Sequence, residues 1–144
     1  MQAAARSLGL ELHVLNASTE SDFDEVFAKL NQLRVGGLVI GPDPFFISRS
    51  IQLAALTVRH AVPTVFEFRE FTAAGGLMSY GADVTDAYRL TGNYTGQVLK
   101  GDMPADLPVQ QATKVELIIN LKTAKTLGLN VPNTLIGRAD EVIE

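Results

Sequence analysis

The sequence predicts an α/β fold built on a parallel-sheet sandwich. Three observations carry that prediction. Segments of helical periodicity alternate with short apolar runs from the N-terminus through Phe68, giving helix, strand, helix, strand, helix, strand, the order expected of a parallel sheet joined by crossovers. The run Gly37-Leu38-Val39-Ile40 is continuously apolar, as in a strand covered on both faces. The chain has 144 residues, of which 47% are hydrophobic and 19% charged. That composition fits one globular domain, residues 1–144, able to bury a core without a staple.

The elements follow in order. Met1 to Leu8 is Ala-rich, carries Arg6 near its end and stops at Gly9, as the last two turns of a helix do. No capping residue precedes it, which reads as the tail of a longer element. Glu11 to Leu15 alternates polar and apolar and predicts a strand ending in the polar loop Asn16-Ala17-Ser18. Ser21 to Asp24 fits a capping box. Behind it Phe23, Val26, Phe27, Leu30 and Leu33 share one helical face, and Gly36-Gly37 stops the helix. After the apolar strand, Gly41-Pro42-Asp43-Pro44 is a break. A helix from Ile47 to His60 follows, with Ile47, Ile51, Ala54, Ala55 and Val58 inward, and Pro63 opens the strand Thr64 to Phe68. Gly75-Gly76 marks a turn, and Leu77 to Tyr80 a further strand. Asp83 caps a helix over Val84 to Leu99, in which Gly92 and Gly96 would admit another backbone closely. Val115 to Asn120 is a last strand, Leu121 to Leu127 a short helix stopped by Gly128, and Pro132-Asn133-Thr134 a helix start.

Most tests for chemistry are negative. The cysteine count is zero, which excludes disulfides, thiolate nucleophiles and zinc–cysteine sites. A net charge of −4 gives no footprint for nucleic acid or an anionic membrane. No apolar stretch reaches the roughly 18 residues of a membrane span, and no basic, then apolar leader is present. Leu77-Met78-Ser79-Tyr80-Gly81 has leucine where a nucleophile elbow needs glycine. His13 lies mid-strand and His60 at a helix end, neither at metal-ligand spacing, so both read as structural. The paired glycines match no dinucleotide or phosphate loop. No cofactor or metal is expected.

What remains is positional, because ligands of open α/β sheets bind beyond the carboxyl ends of the strands. The first end offers Asn16 and Ser18, the second Asp43, Phe45 and Phe46, and the third Phe68, Arg69, Glu70 and Phe71; Tyr80 ends the next strand. An aromatic wall beside an arginine and a carboxylate suits a small zwitterion or aromatic acid. The plainer alternative makes Phe45, Phe66 and Phe71 core plugs and Arg69–Glu70 a surface pair.

Several longer stretches carry a resemblance: Pro44-Phe45-Phe46, Phe68 to Gly81, Leu99-Lys100-Gly101-Asp102-Met103-Pro104-Ala105-Asp106-Leu107-Pro108-Val109-Gln110, and Leu117-Ile118-Ile119-Asn120-Leu121-Lys122-Thr123-Ala124-Lys125. Together they resemble the ABC-transporter substrate-binding proteins related to tryptophan-binding lipoproteins, over essentially the whole chain. The resemblance implies a periplasmic-binding-protein fold of type I-like second lobe, incomplete, from a family of non-enzymes that hold a solute in an interlobe cleft and deliver it to an ABC permease from the periplasm. A full member is about twice as long, so the signal peptide, most of the first lobe and the first strand of the second would lie outside this chain. Residues 77–101 resemble the segment that crosses back to the first lobe. The missing strand would leave a gap between the strands at Leu12 and Leu38, and exposed apolar edges would favour a homodimer or higher oligomer; a monomer in light scattering at micromolar concentration would contradict that. An isolated lobe is expected to bind solute weakly or not at all, because half a cleft desolvates a ligand poorly. A ligand-sensing or regulatory module of the same fold is the alternative, and a small α/β enzyme lacks a supporting constellation.

Overall fold

The computed structural model describes residues 2–110 and 114–144. Two compact units divide the chain, one ending at Arg34 and one spanning Val35–Glu144.

In the first unit, α1 (Gln2–Ser7) ends as its sequence predicts. Gly9 is left-handed, with φ 67°, and the Leu10 amide donates back to the Ala5 carbonyl at 2.9 Å. The strand expected at Glu11 to Leu15 does not form. Residues 10–17 have no ladder, and Leu10, Leu12 and Val14 stay 62, 42 and 66% exposed. Alternation supplies the pattern of a half-buried strand but not the neighbour whose amides and carbonyls would hold it. Helix α2 (Ser21–Leu33) buries Phe23, Phe27 and Leu30, while Val26 is half-buried and Leu33 exposed. Its start differs from a capping box. Ser21 is already helical, and the Asp22 carboxylate reaches back to accept from the Ser18 and Thr19 amides, each at 2.8 Å. Those two bonds hold the Asp22 carboxyl below its usual range.

The second unit is built on a five-stranded sheet in the order β1-β2-β3-β4-β5, formed by β1 (Leu38–Ile40), β2 (Thr64–Phe66), β3 (Met78–Ala82), β4 (Val115–Asn120) and β5 (Glu141–Ile143). Every pair is parallel except β3–β4, which is antiparallel. The alternation through Phe68 predicted parallel strands; the one reversal lies beyond it, where the chain passes through α6 (Val84–Leu99) and returns as β4 antiparallel to β3. β5 was not anticipated, since three residues carry too little pattern to read. β1 is an edge strand with Val39 61% exposed, which corrects the expectation of a strand covered on both faces. Leu38 and Ile40 are half-covered on one face, and among the described strands β1 pairs with β2 alone.

The segment after β1 also departs from expectation. It forms two helices, α3 (Pro44–Ser48) and α4 (Ser50–Arg59), separated by Arg49 at φ −116°, ψ 21°. The break resets the helical phase. Leu53, Ala54, Leu56 and Thr57 turn inward, whereas Ile51 is 74% exposed and Ala55 points to solvent. β2 stops at Phe66 rather than Phe68, because α5 (Arg69–Ala73) begins almost at once. Phe71 of α5 stacks on Phe66, with centroids 4.6 Å apart and planes 15° off parallel. With Leu77, Ile118 and Ile119 this pair forms the core around the central strands.

Helix α6 runs as expected from the Asp83 cap, and Gly101 in a positive-φ conformation follows it. None of its residues is buried, and nothing lies within 4 Å of a Cβ placed on Gly92 or Gly96. The close approach expected at those glycines is therefore not made among the described residues. A 3₁₀ turn (Pro104–Asp106) lies on the return path. Helices α7 (Leu121–Thr126) and α8 (Asn133–Ile136) match their predicted positions, the first stopped near Gly128 at φ 69°.

Candidate functional site

The expected ligand residues divide between the two units. Asn16 and Ser18 belong to the first, where both are exposed and the Ser18 amide is taken up by Asp22. The others belong to the second and follow the carboxyl ends of β1, β2 and β3.

After β1, Asp43 does not sit in an open loop. It caps α3, its Oδ1 accepting from the Phe45 amide at 2.8 Å, with Pro44 at the first helical position. Phe45 and Phe46 are consequently helical, half-buried, and tilted against each other with centroids 5.7 Å apart. The Arg49 guanidinium lies 5.9 Å from the Phe45 centroid, within reach of a cation–π contact. This corner is a small aromatic surface with a cation on its edge.

After β2, Phe68 precedes α5 and is half-buried, while Arg69 and Glu70 occupy its first turn and are exposed. Arg69 does not pair with Glu70. Its Nη2 donates to Glu141 Oε2 at 2.6 Å and its Nη1 to Glu116 Oε2 at 3.5 Å, reaching β5 and β4. The path across β3 depends on Gly81. A Cβ there would lie 2.3 Å from the Glu67 carbonyl oxygen, so only glycine lets residues 67–69 cross so closely. Gly81 is also the register partner of Glu116. Tyr80, one residue earlier and 62% exposed, alternates onto the opposite sheet face from Arg69 and Glu116. The structure therefore gathers Arg69, Glu116 and Glu141 and leaves Tyr80 apart from them.

Glu116 and Glu141 were missed in the sequence. Glu116 was read as part of a strand without a role, and Glu141 lies in the unanticipated β5. Two carboxylates face one guanidinium, so the cluster carries an excess of negative charge. Burial pushes the Glu116 carboxyl above its ordinary range, and Arg69 only partly opposes it. A carboxyl with a raised folded pKa favours the fold most when protonated. Its contribution is full below about pH 4 and fades as pH rises through the raised value. Glu116→Gln is accordingly expected to flatten the pH dependence of stability above about pH 4, measured by urea unfolding across the acidic range.

Beyond β3, Asp83 is buried and accepts from the Asp86 amide at 3.1 Å and from Lys114 Nζ at 2.7 Å. The Lys114 ammonium and the capped amide hold the Asp83 carboxyl below its usual range, and Asp83 in turn raises Lys114. Elsewhere, His13 Nε2 lies 3.6 Å from Glu11 and His60 closes α4. No described helix is long and apolar enough to cross a membrane.

The second unit is an open, mostly parallel α/β sheet whose strand ends present an aromatic corner and a charged cluster, the place where sheets of this class bind ligands. Comparison with known proteins fits that class. The family model for ABC transporter substrate binding proteins matches residues 1–143, and the chain belongs to that family. Among solved structures, a conserved domain protein from Vibrio cholerae is similar at 21% identity and TM-score 0.85, covering 98% of this chain and 47% of that one. An ABC domain from Streptococcus pneumoniae in complex with L-Trp is similar at 26% identity and TM-score 0.85, over 98% of this chain and 48% of that one. A ligand-free, open substrate-binding protein with adhesive properties from Clostridium difficile gives 18% identity and TM-score 0.69, over 99% and 47%. The chain thus spans about half the length of the structures it matches. No curated protein sequence matches it.

Proposed function

We propose that this chain is a solute-binding lobe of an ABC importer, supplying one side of an interlobe cleft for a small amino-acid-like or aromatic solute. The observation that carries this reading is the placement of Phe45, Phe46 and Arg69 after the carboxyl ends of the adjacent parallel strands β1 and β2, in a chain of the substrate-binding family. The L-Trp complex of the Streptococcus relative supports an amino acid as the solute. The phenylalanine pair suits an aromatic or apolar side chain. The Arg69–Glu116–Glu141 cluster, with two carboxylates to one guanidinium, suits an ammonium better than a carboxylate. That charge balance turns the arginine from the carboxylate anchor that position alone suggests into a group that orients two acids.

Within this reading the partners are the solute, a second lobe and an ABC permease, and the site of action is extracytoplasmic. The protein acts by binding, without catalysis or cofactor. Asp43, Phe68 and Glu70 remain proposed contacts of lower specificity, all within the second unit. The exposed β1 edge and the uncovered face of α6 favour self-association to a homodimer or higher oligomer, which light scattering at micromolar concentration reads directly.

Calorimetry on the two-lobed protein carrying this lobe, titrated with L-tryptophan and a panel of other amino acids, tests the assignment. Phe45→Ala is expected to raise Kd at least about tenfold, the scale of one lost anchoring contact, and Arg69→Ala to change Kd by releasing Glu116 and Glu141 from the geometry it holds. Unchanged affinity in both variants would remove the site.

A further inference from the structure

We propose that Asp83 and Lys114 pin a joint at which an arm, α6 with its return segment, attaches to the sheet, and that this ion pair fixes the direction of the arm. The chain leaves the sheet after Ala82 and re-enters it at Val115, and these two residues are the last register pair of β3 and β4. One step beyond them the Asp83 amide donates to the Lys114 carbonyl at 3.0 Å. The side chains add a second link at the same level, Lys114 Nζ to Asp83 Oδ2 at 2.7 Å. The other Asp83 oxygen, Oδ1, accepts from the Asp86 amide at 3.1 Å and caps α6. One carboxylate, 7% exposed, therefore joins the first turn of the helix to the strand that returns.

Among the described residues of this chain, packing offers little else to set the direction of α6. The helix has 16 residues and none of them is buried. Near its far half, the Tyr94 hydroxyl donates to the Pro108 carbonyl, which ties the arm to its own return path rather than to the sheet. Two crossings of the chain with one backbone bond between them leave a torsional freedom about their common direction. The carboxylate removes it, because its two oxygens are held by groups on either side of the crossing. The remaining charges nearby reinforce the geometry without replacing it. Asp86 is engaged by Arg89 at 2.8 and 3.0 Å, and Glu116 faces Arg69. Asp83 and Lys114 are thus positioning residues, and their role stands whether or not the solute assignment holds.

The natural absence of cysteine allows clean double labelling. Spin labels at Asn93→Cys on α6 and Lys125→Cys on α7, both exposed positions, report the arm-to-sheet distance by double electron–electron resonance, with excess unlabelled chain suppressing signals between copies. Lys114→Met keeps the aliphatic stem and the Asp83 cap while removing the amine. Asp83→Asn keeps a capping oxygen while removing the charge. Both variants are expected to at least double the width of the distance distribution, with helix content by circular dichroism unchanged, and Lys114→Arg is expected to restore the narrow distribution. Widths equal to the wild type in Lys114→Met, with helix content retained, would overturn the proposal. So would a wild-type distribution already as broad as that of the variants.

Discussion

Replacing Gly81 with alanine is expected to destabilise the protein by about 2–3 kcal/mol, the upper part of the range for overpacking. The new Cβ would meet the Glu67 carbonyl oxygen at 2.3 Å and the Glu67 Cγ at 2.7 Å. The first of these is backbone, which cannot swing aside as a side chain does. Relief requires residues 67–69 to lift off β3, and that movement pulls Arg69 away from Glu116 and Glu141. The substitution therefore reports on both stability and site geometry. Gly92→Ala is the contrast. Gly92 lies mid-helix with nothing within 4 Å of a new Cβ, so it should gain about 0.5–1 kcal/mol from helix propensity. Urea unfolding of the two variants separates a glycine required by close approach from one that is dispensable.

Phe66→Ala carries the largest expected loss, about 4 kcal/mol, within the range for emptying a buried aromatic site. Phe66 is 1% exposed and stacks on Phe71 at 4.6 Å. Both the transfer term and the ring contact disappear on truncation. The ring also fills the space beside Gly76, where a Cβ would sit 2.6 Å from it. A domain with about 5–15 kcal/mol in total would be left near the edge of folding. Because Phe66 supports α5, and α5 begins with Arg69, the loss should reach the charged cluster as well. Phe66→Leu, which refills much of the volume, should recover more than half of the stability in the same urea titration.

Much of the architecture is written in local signals. Gly9, Gly101 and Gly128 adopt positive φ beside helix ends that the sequence marks. Asp83 caps α6 and Asn120 caps α7 through their side chains. Elsewhere the chain ends helices without a glycine. Arg34 and Ala61 take left-handed conformations at φ 50° and 52°, so Gly36-Gly37 misplaces the end of α2. Of the face expected for α4, Ala54 is buried and Val58 half-buried, while Ile47, Ile51 and Ala55 are exposed, because a single periodicity does not run through Arg49, where the helix breaks. The strand at Glu11 to Leu15 failed for a different reason. Its pattern is sound, but a strand is a property of two segments, and no described strand pairs with it.

The candidate site was legible only by position. Phe45, Phe46 and Arg69 follow strand ends that can be read from apolar runs and breaks. Glu116 and Glu141 could not be found that way, since their meeting with Arg69 depends on the antiparallel return of β4 and on the short strand β5. Gly81 gives the one retrospective signal, a glycine inside a strand, which marks a close approach of another backbone.

The most direct test is a nitrogen-edited chemical-shift titration, with L-tryptophan and other amino acids, of the two-lobed protein carrying this lobe, because half a cleft is expected to bind weakly or not at all. The account predicts saturable shifts at Phe45, Phe46, Phe68, Arg69 and Glu70 with Glu116, diminished by Phe45→Ala. Shifts centred instead on α7 and α8, or no shift at the β1 and β2 strand ends with any amino acid tried, would contradict it.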